Sequence, residues 1–179
     1  GCSFDETQWM GDWIHEKLFS KIAEHPLQEN PEAYLALKTV LREWVLPYPE
    51  GSSTGDYTKG AYRMETNEFG ICQIGIRQAT DTLLAFSISV GGTPYEMLVP
   101  FRDWRSYKMD LSPAPDSDLS FSYAWKSPET LVITQCMLNS PYVRCYTIRF
   151  HEDQIRFEVS QNFSLVNSGS NTFEGQIIE

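Results

Sequence analysis

Basic side chains are scarce in this chain: 14 lysines and arginines stand against 24 aspartates and glutamates, a formal net charge of −10. Nucleic-acid phosphates and anionic bilayers are recognised through clusters of Lys and Arg. Here the basic residues occur singly or in loose pairs such as Arg102 and Arg105, which argues against both partners. Long apolar runs are missing too, and none approaches the roughly 18 residues that a membrane-spanning helix requires. No secretory signal is visible, as would also hold for a processed chain. The four cysteines (Cys2, Cys72, Cys136, Cys145) include no Cys-x-x-Cys, and no two of the three histidines (His15, His25, His151) share a metal-ligand spacing. No metal or other cofactor is implied. Gly1-Cys2 admits two readings: a cloning scar ahead of a fragment, or the mature end of a bacterial lipoprotein whose lipidated cysteine comes first.

What is present suits a soluble globular protein. Hydrophobic residues make up 41% and aromatics 13%, enough to bury one good core in a chain of 179 residues. Trp9, Met10, Trp13, Ile14, Leu18 and Ile22 recur at helical spacing, and His25-Pro26 ends the run. A second helix is better punctuated: Asn30 suits the N-cap and Pro31 the first helical position. Tyr34, Leu37, Val40, Leu41 and Trp44 form its apolar stripe before Pro47. Pro49 to Asp56 is rich in turn formers and reads as a linker.

Beyond residue 60 the period changes from helical to alternating. Tyr62–Thr66, Phe69–Arg77, Thr82–Val90, Pro94–Val99, Arg105–Leu111, Ser120–Trp125, Thr130–Leu138, Val143–Phe150, Gln154–Ser160 and Thr172–Ile177 read as strands separated by short turns. The expected fold is mainly β (α+β): an antiparallel lipocalin-like barrel of 8–10 strands, or a curved sheet, with two N-terminal helices. The expected organisation is a helical segment 1–50 packing on the sheet, a linker 51–59 and a barrel-like domain 60–179. If residues 139–142 form a hairpin loop, Leu138 faces Val143 and Cys136 faces Cys145, close enough to bridge. Two reduced residues on a buried face is the reading preferred here.

Three stretches carry a family resemblance. PLQENPEAYLALKTVLREWVLPYPEG (Pro26 to Gly51), GAYRMETNEFGI (Gly60 to Ile71) and the hairpins between Ala124 and Val159 resemble the C-terminal extension of bacterial serine hydrolases related to class C β-lactamases and penicillin-binding proteins. The catalytic motifs of that family are absent: the chain has no Ser-x-x-Lys, no Tyr-x-Asn and no Lys-Thr-Gly. Ser160-Gln161-Asn162 fits Ser-x-Asn only by chance, so no catalytic residue carries over. The resemblance implies a non-catalytic accessory domain that docks on a serine-hydrolase domain, in the same or a separate chain, and shapes its cleft. Location is left open by the sequence, with the bacterial cytoplasm slightly favoured and a lipoprotein through Cys2 the alternative. Trp104, Arg105 and Tyr107, in a segment rich in large side chains, are the expected docking residues.

Other chemistry is weak. Gly51-Ser52-Ser53-Thr54-Gly55 satisfies Gly-x-Ser-x-Gly, but a nucleophile elbow needs a strand before it and a helix after it. His151-Glu152-Asp153 reads as a polar hairpin tip. Tyr62, Phe86 and Trp125 are expected in the barrel interior. The alternative function is therefore a stand-alone lipocalin-like binder of a small apolar ligand. An open cavity favours that alternative, and a filled interior favours the accessory domain.

Overall fold

The computed structural model describes residues 4–17, 19–21, 29–43, 46–56, 60–111, 117–162 and 170–178. The chain divides into two compact units, Gly1–Leu46 and Pro47–Glu179.

The first unit is helical, with α1 (Phe4–Lys17), a 3-10 turn (Phe19–Lys21) and α2 (Pro31–Glu43). α2 begins where the sequence places it: Asn30 Oδ1 accepts the Ala33 N–H at 2.9 Å, and the Asn30 carbonyl accepts that of Tyr34 at 3.0 Å. α1 stops at Lys17, short of the apolar spacing that runs on to Ile22. His25-Pro26 and Trp44 lie outside the described residues. Tyr34 is 63% exposed and Leu37 55%, so the apolar stripe of α2 is not covered within its own unit. Among the described residues no helix is long and apolar enough to cross a membrane.

The second unit holds ten antiparallel strands: β1 (Gly60–Met64), β2 (Ile71–Thr80), β3 (Leu83–Val90), β4 (Thr93–Pro100), β5 (Arg105–Met109), β6 (Ser117–Ser127), β7 (Thr130–Met137), β8 (Val143–His151), β9 (Gln154–Gln161) and β10 (Asn171–Ile178). All ten expected strands are present, the largest changes being the extension of β2 to Thr80 and the earlier start of β6. Their order in the sheet is β4-β3-β2-β1-β10-β9-β8-β7-β6-β5. Because β1 pairs with both β2 and β10, the meander rolls into a nearly closed barrel. Tight turns make this possible, as at Gly91-Gly92, where φ is +57° and +86°, values that a side chain would strain. Alternation drives the inward face: Ile74, Ile76, Leu84, Phe86, Ile88, Leu131, Ile133, Ile148, Ile155 and Phe157 are all buried. Each such side chain stabilises the fold by about 1.5–3 kcal/mol relative to exposure.

Residues 51–56, expected as a linker, are built into the barrel. Ser52 and Trp125 exchange backbone hydrogen bonds of 2.9 and 2.8 Å, and the Asp56 N–H donates to the Pro128 carbonyl at 2.7 Å. Glycine is required where this strap lies closest to β6. A Cβ on Gly51 would run into the Trp125 carbonyl, and one on Gly55 into the Trp125 indole.

The expected register between β7 and β8 is also corrected. Cys136 pairs with Val143 and Thr134 with Cys145, two residues away from the anticipated pairing. The Met137 N–H donates to the Tyr142 carbonyl, while that of Leu138 turns to Asp118, which moves the loop one residue towards β7. The two cysteines still share a face, but neither opposes the other, and both are free thiols.

Candidate functional site

The inward side chains leave almost no water-accessible surface. Tyr62, Phe121, Tyr123 and Phe157 are 0% exposed, and Phe86 and Trp125 are 1% exposed. Rings from different strands meet across this space: Phe86 lies 6.4 Å from Tyr146, Tyr62 6.1 Å from Phe150, and Trp125 5.5 Å from Phe150. Tyr62, Phe86 and Trp125, the three residues expected inside, are buried in the core cluster.

A polar cluster interrupts this apolar interior at one end. Gln135 of β7 pairs in register with Arg144 of β8, and both stand at inward positions of their strands. Gln135 is 0% exposed; its Oε1 accepts the Tyr146 hydroxyl at 2.6 Å. Its Nε2 and the Arg144 Nε are buried and have no hydrogen-bond partner among the described residues. Arg144 Nη2 donates to Gln161 Oε1 at 3.4 Å. Burial pushes the Tyr146 phenol up, and the nearby Arg144 guanidinium pulls partly in the opposite direction. Partnerless donors inside an apolar core cost free energy. The signal for this cluster was available in the sequence as polar residues at inward positions, Gln135 after Ile133 and Arg144 before Tyr146. Apolar periodicity alone does not register it.

Trp104, Arg105 and Tyr107 have different surroundings. Trp104 stacks on Tyr48 with ring centroids 6.0 Å apart. Arg105 is exposed. Tyr107 belongs to the seam between β4 and β5, the two strands at the ends of the sheet order, where side chains replace the ladder. Its hydroxyl accepts the Leu98 N–H and donates to the Leu98 carbonyl, both at 2.9 Å. The Tyr95 hydroxyl reaches the Asp110 carbonyl at 3.4 Å. The opposite end of the barrel is closed by the strap: Gln78 Nε2 donates to the Tyr123 hydroxyl at 2.9 Å, which donates to the Ser53 carbonyl at 2.8 Å.

Ser53 sits in that strap, before β1 and not between a strand and a helix, so the nucleophile-elbow context is absent. His151, Glu152 and Asp153 are exposed around a hairpin tip, with φ of +53° at Glu152. Among the described residues no group of three His, Cys, Asp or Glu side chains is placed to hold a metal ion.

No family model and no curated protein matches the chain. Solved structures do. A secretary abundant heat soluble (SAHS) protein from Ramazzottius varieornatus matches with a TM-score of 0.54 and 8% identity, over 72% of this chain and 100% of that one. A Schistosoma mansoni fatty acid binding protein in complex with arachidonic acid matches at 0.53 and 8%, over 73% and 100%. As-p18, an extracellular fatty acid binding protein, matches at 0.51 and 12%, over 67% and 95%. The second unit is a lipocalin-like barrel. At these identities the likeness is one of fold.

Proposed function

We propose that the barrel binds a small apolar ligand bearing a hydrogen-bond-accepting head, with Gln135 Nε2 and Arg144 Nε receiving that head. The observation that carries this reading is the pair of partnerless buried donors in an interior otherwise lined by Phe86, Phe157 and Val159. The fold likeness to fatty acid binding proteins supports it. Uptake exchanges ring-to-ring contacts for ligand contacts. The wall parts with fewest bonds lost at the β4–β5 seam, where two phenols stand in for a ladder. No step of catalysis is implied.

Calorimetric titration with oleate tests the idea in the double variant Gln135→Leu/Tyr146→Phe. Removing both partners of a buried hydrogen bond is nearly neutral for folding. The variant is expected to melt no lower than the parent yet to bind oleate at least tenfold more weakly. Equal binding by both proteins, or none by the parent, would defeat the reading.

A second reading, the accessory domain of a serine hydrolase, is supported by the aromatic contacts across the interior and by the uncovered stripe of Tyr34, Leu37, Val40 and Leu41. Its test is docking on a purified hydrolase domain, with loss of docking in Trp104→Ala or Leu37→Asp expected. Undiminished docking by both variants would remove its basis.

A further inference from the structure

On the face of β1–β4 that points away from the core lies a groove of about 810 Å³, ending against β5. Two adjacent rows of register partners build its floor. One row runs Ala61, Gly75, Ser87 and Glu96, and the next Arg77, Ala85 and Leu98, with Arg105 and Tyr107 across the seam. Small residues line its middle: the Ser87 hydroxyl lies over Gly75, where a Cβ would strike it. The volume falls within the range of about 300–1,000 Å³ usual for small-molecule sites.

Charge at the rim is asymmetric. Arg77 and Arg105 are exposed, and neither has an ion-pair partner among the described residues. They flank Ala85 and Leu98 from opposite sides, whereas Glu96 stands in the neighbouring row. In a chain of net charge −10, two unpaired guanidiniums over an apolar floor form a local reversal of sign. Guanidiniums suit carboxylate and phosphate oxygens through paired N–H donors.

We infer that this groove is a second binding site, outside the barrel, for a single-chain amphiphile with one acidic head. The head lies between Arg77 and Arg105. The tail lies along Ala61, Gly75 and Ser87, where each buried CH₂ adds apolar contact. Glu96 disfavours a second negative charge at the opposite wall and so selects a monoanion. The site is independent of the interior cluster, and it shares no residue with Gln135, Arg144 or Tyr146.

Decanoate below its micellar concentration, with 1-decanol as the neutral control, provides the test by backbone amide NMR on the full chain. Decanoate is expected to shift the amides of Gly75, Ala85, Ser87 and Leu98, and 1-decanol to shift them far less. Arg77→Gln/Arg105→Gln is expected to weaken decanoate binding about tenfold or more, Ala85→Trp to abolish it by filling the floor, and Glu96→Gln to tighten it several-fold. Arg77, Ala85 and Glu96 are at outward positions and Arg105 is exposed at the start of β5, and the spectra elsewhere report retained folding. Equal response to 1-decanol, unchanged affinity in the double Arg variant, or no shifts at all would overturn the proposal. Shifts confined to residues around Gln135 and Tyr146 would overturn it while supporting the interior site.

Discussion

Tyr107 and Leu98 stand on strands that share no ladder, yet one hydroxyl of the first serves both the N–H and the C=O of the second, each at 2.9 Å. A phenol thus does at the seam what a neighbouring strand does elsewhere in the sheet. An exposed strand edge invites pairing with another chain, and a side chain that occupies both polar groups of one residue blunts that edge.

Tyr107→Phe keeps the ring beside Phe121, whose centroid lies 6.2 Å away, and removes only the hydroxyl. Loss of stability of about 1–3 kcal/mol is expected, because two backbone groups lose their partner. Hydrogen exchange measured by NMR should show the Leu98 amide opening faster, while the amides of β7 and β8 stay protected.

Gly55→Ala places a methyl group against the Trp125 indole carbons. Either the strap or the indole must move, and overpacking of this kind costs about 1–3 kcal/mol. Thermal melting should fall by several degrees. An unchanged melt would mean that the strap shifts freely, contrary to its bonds with Trp125 and Pro128.

Tyr146 sets an alkaline limit. Its phenol is raised above the ordinary value by burial, so the unfolded chain loses that proton at lower pH than the folded one. The stability it contributes is complete below about pH 10, the unfolded value, and is lost as pH rises through the higher folded value. Denaturant midpoints between pH 8 and 11 should therefore fall less steeply in Tyr146→Phe, even though that variant starts lower through loss of the bond to Gln135.

The cysteines should separate by reactivity. Cys72 is exposed, and the Ser89 hydroxyl heads the hydrogen bonds that pull its thiol down. Cys136 is buried, and desolvation first, then the neighbouring Cys145, pushes its thiol up. Iodoacetamide at pH 8, followed by peptide mass mapping, should modify Cys72 many-fold faster than Cys136. Comparable rates would contradict the burial of Cys136.

Strands were legible because their cause is local. Alternation along Leu131, Ile133 and Ile148, Phe150 needs no knowledge of the rest of the chain, and Gly91-Gly92 announces its turn. Asn30 was equally readable, because its cap bonds reach only three and four residues ahead. The strap was not. Ser52 is linked to Trp125, and nothing in a Gly-Ser-Thr composition distinguishes a free linker from one bonded 73 positions away. A shift of one residue in the loop after β7 moved the register by two, which kept Cys136 and Cys145 on their face while separating them. Trp104, Arg105 and Tyr107 looked alike by composition, yet a stack, a free guanidinium and a seam bond are different fates. The interior cluster escaped because it is an exception to the apolar pattern, and pattern matching weighs agreement above exceptions.

The pairing of β1 with β10 has a consequence for the making of the molecule. Ala61 pairs with Ile178, so one side of β1 stays open until β10, more than a hundred residues later, has left the ribosome. At synthesis rates of about 5–20 residues per second, this leaves an apolar edge unpaired for seconds. The nascent chain is therefore a natural client for chaperones, and truncations that remove residues 171–178 should accumulate in the insoluble fraction.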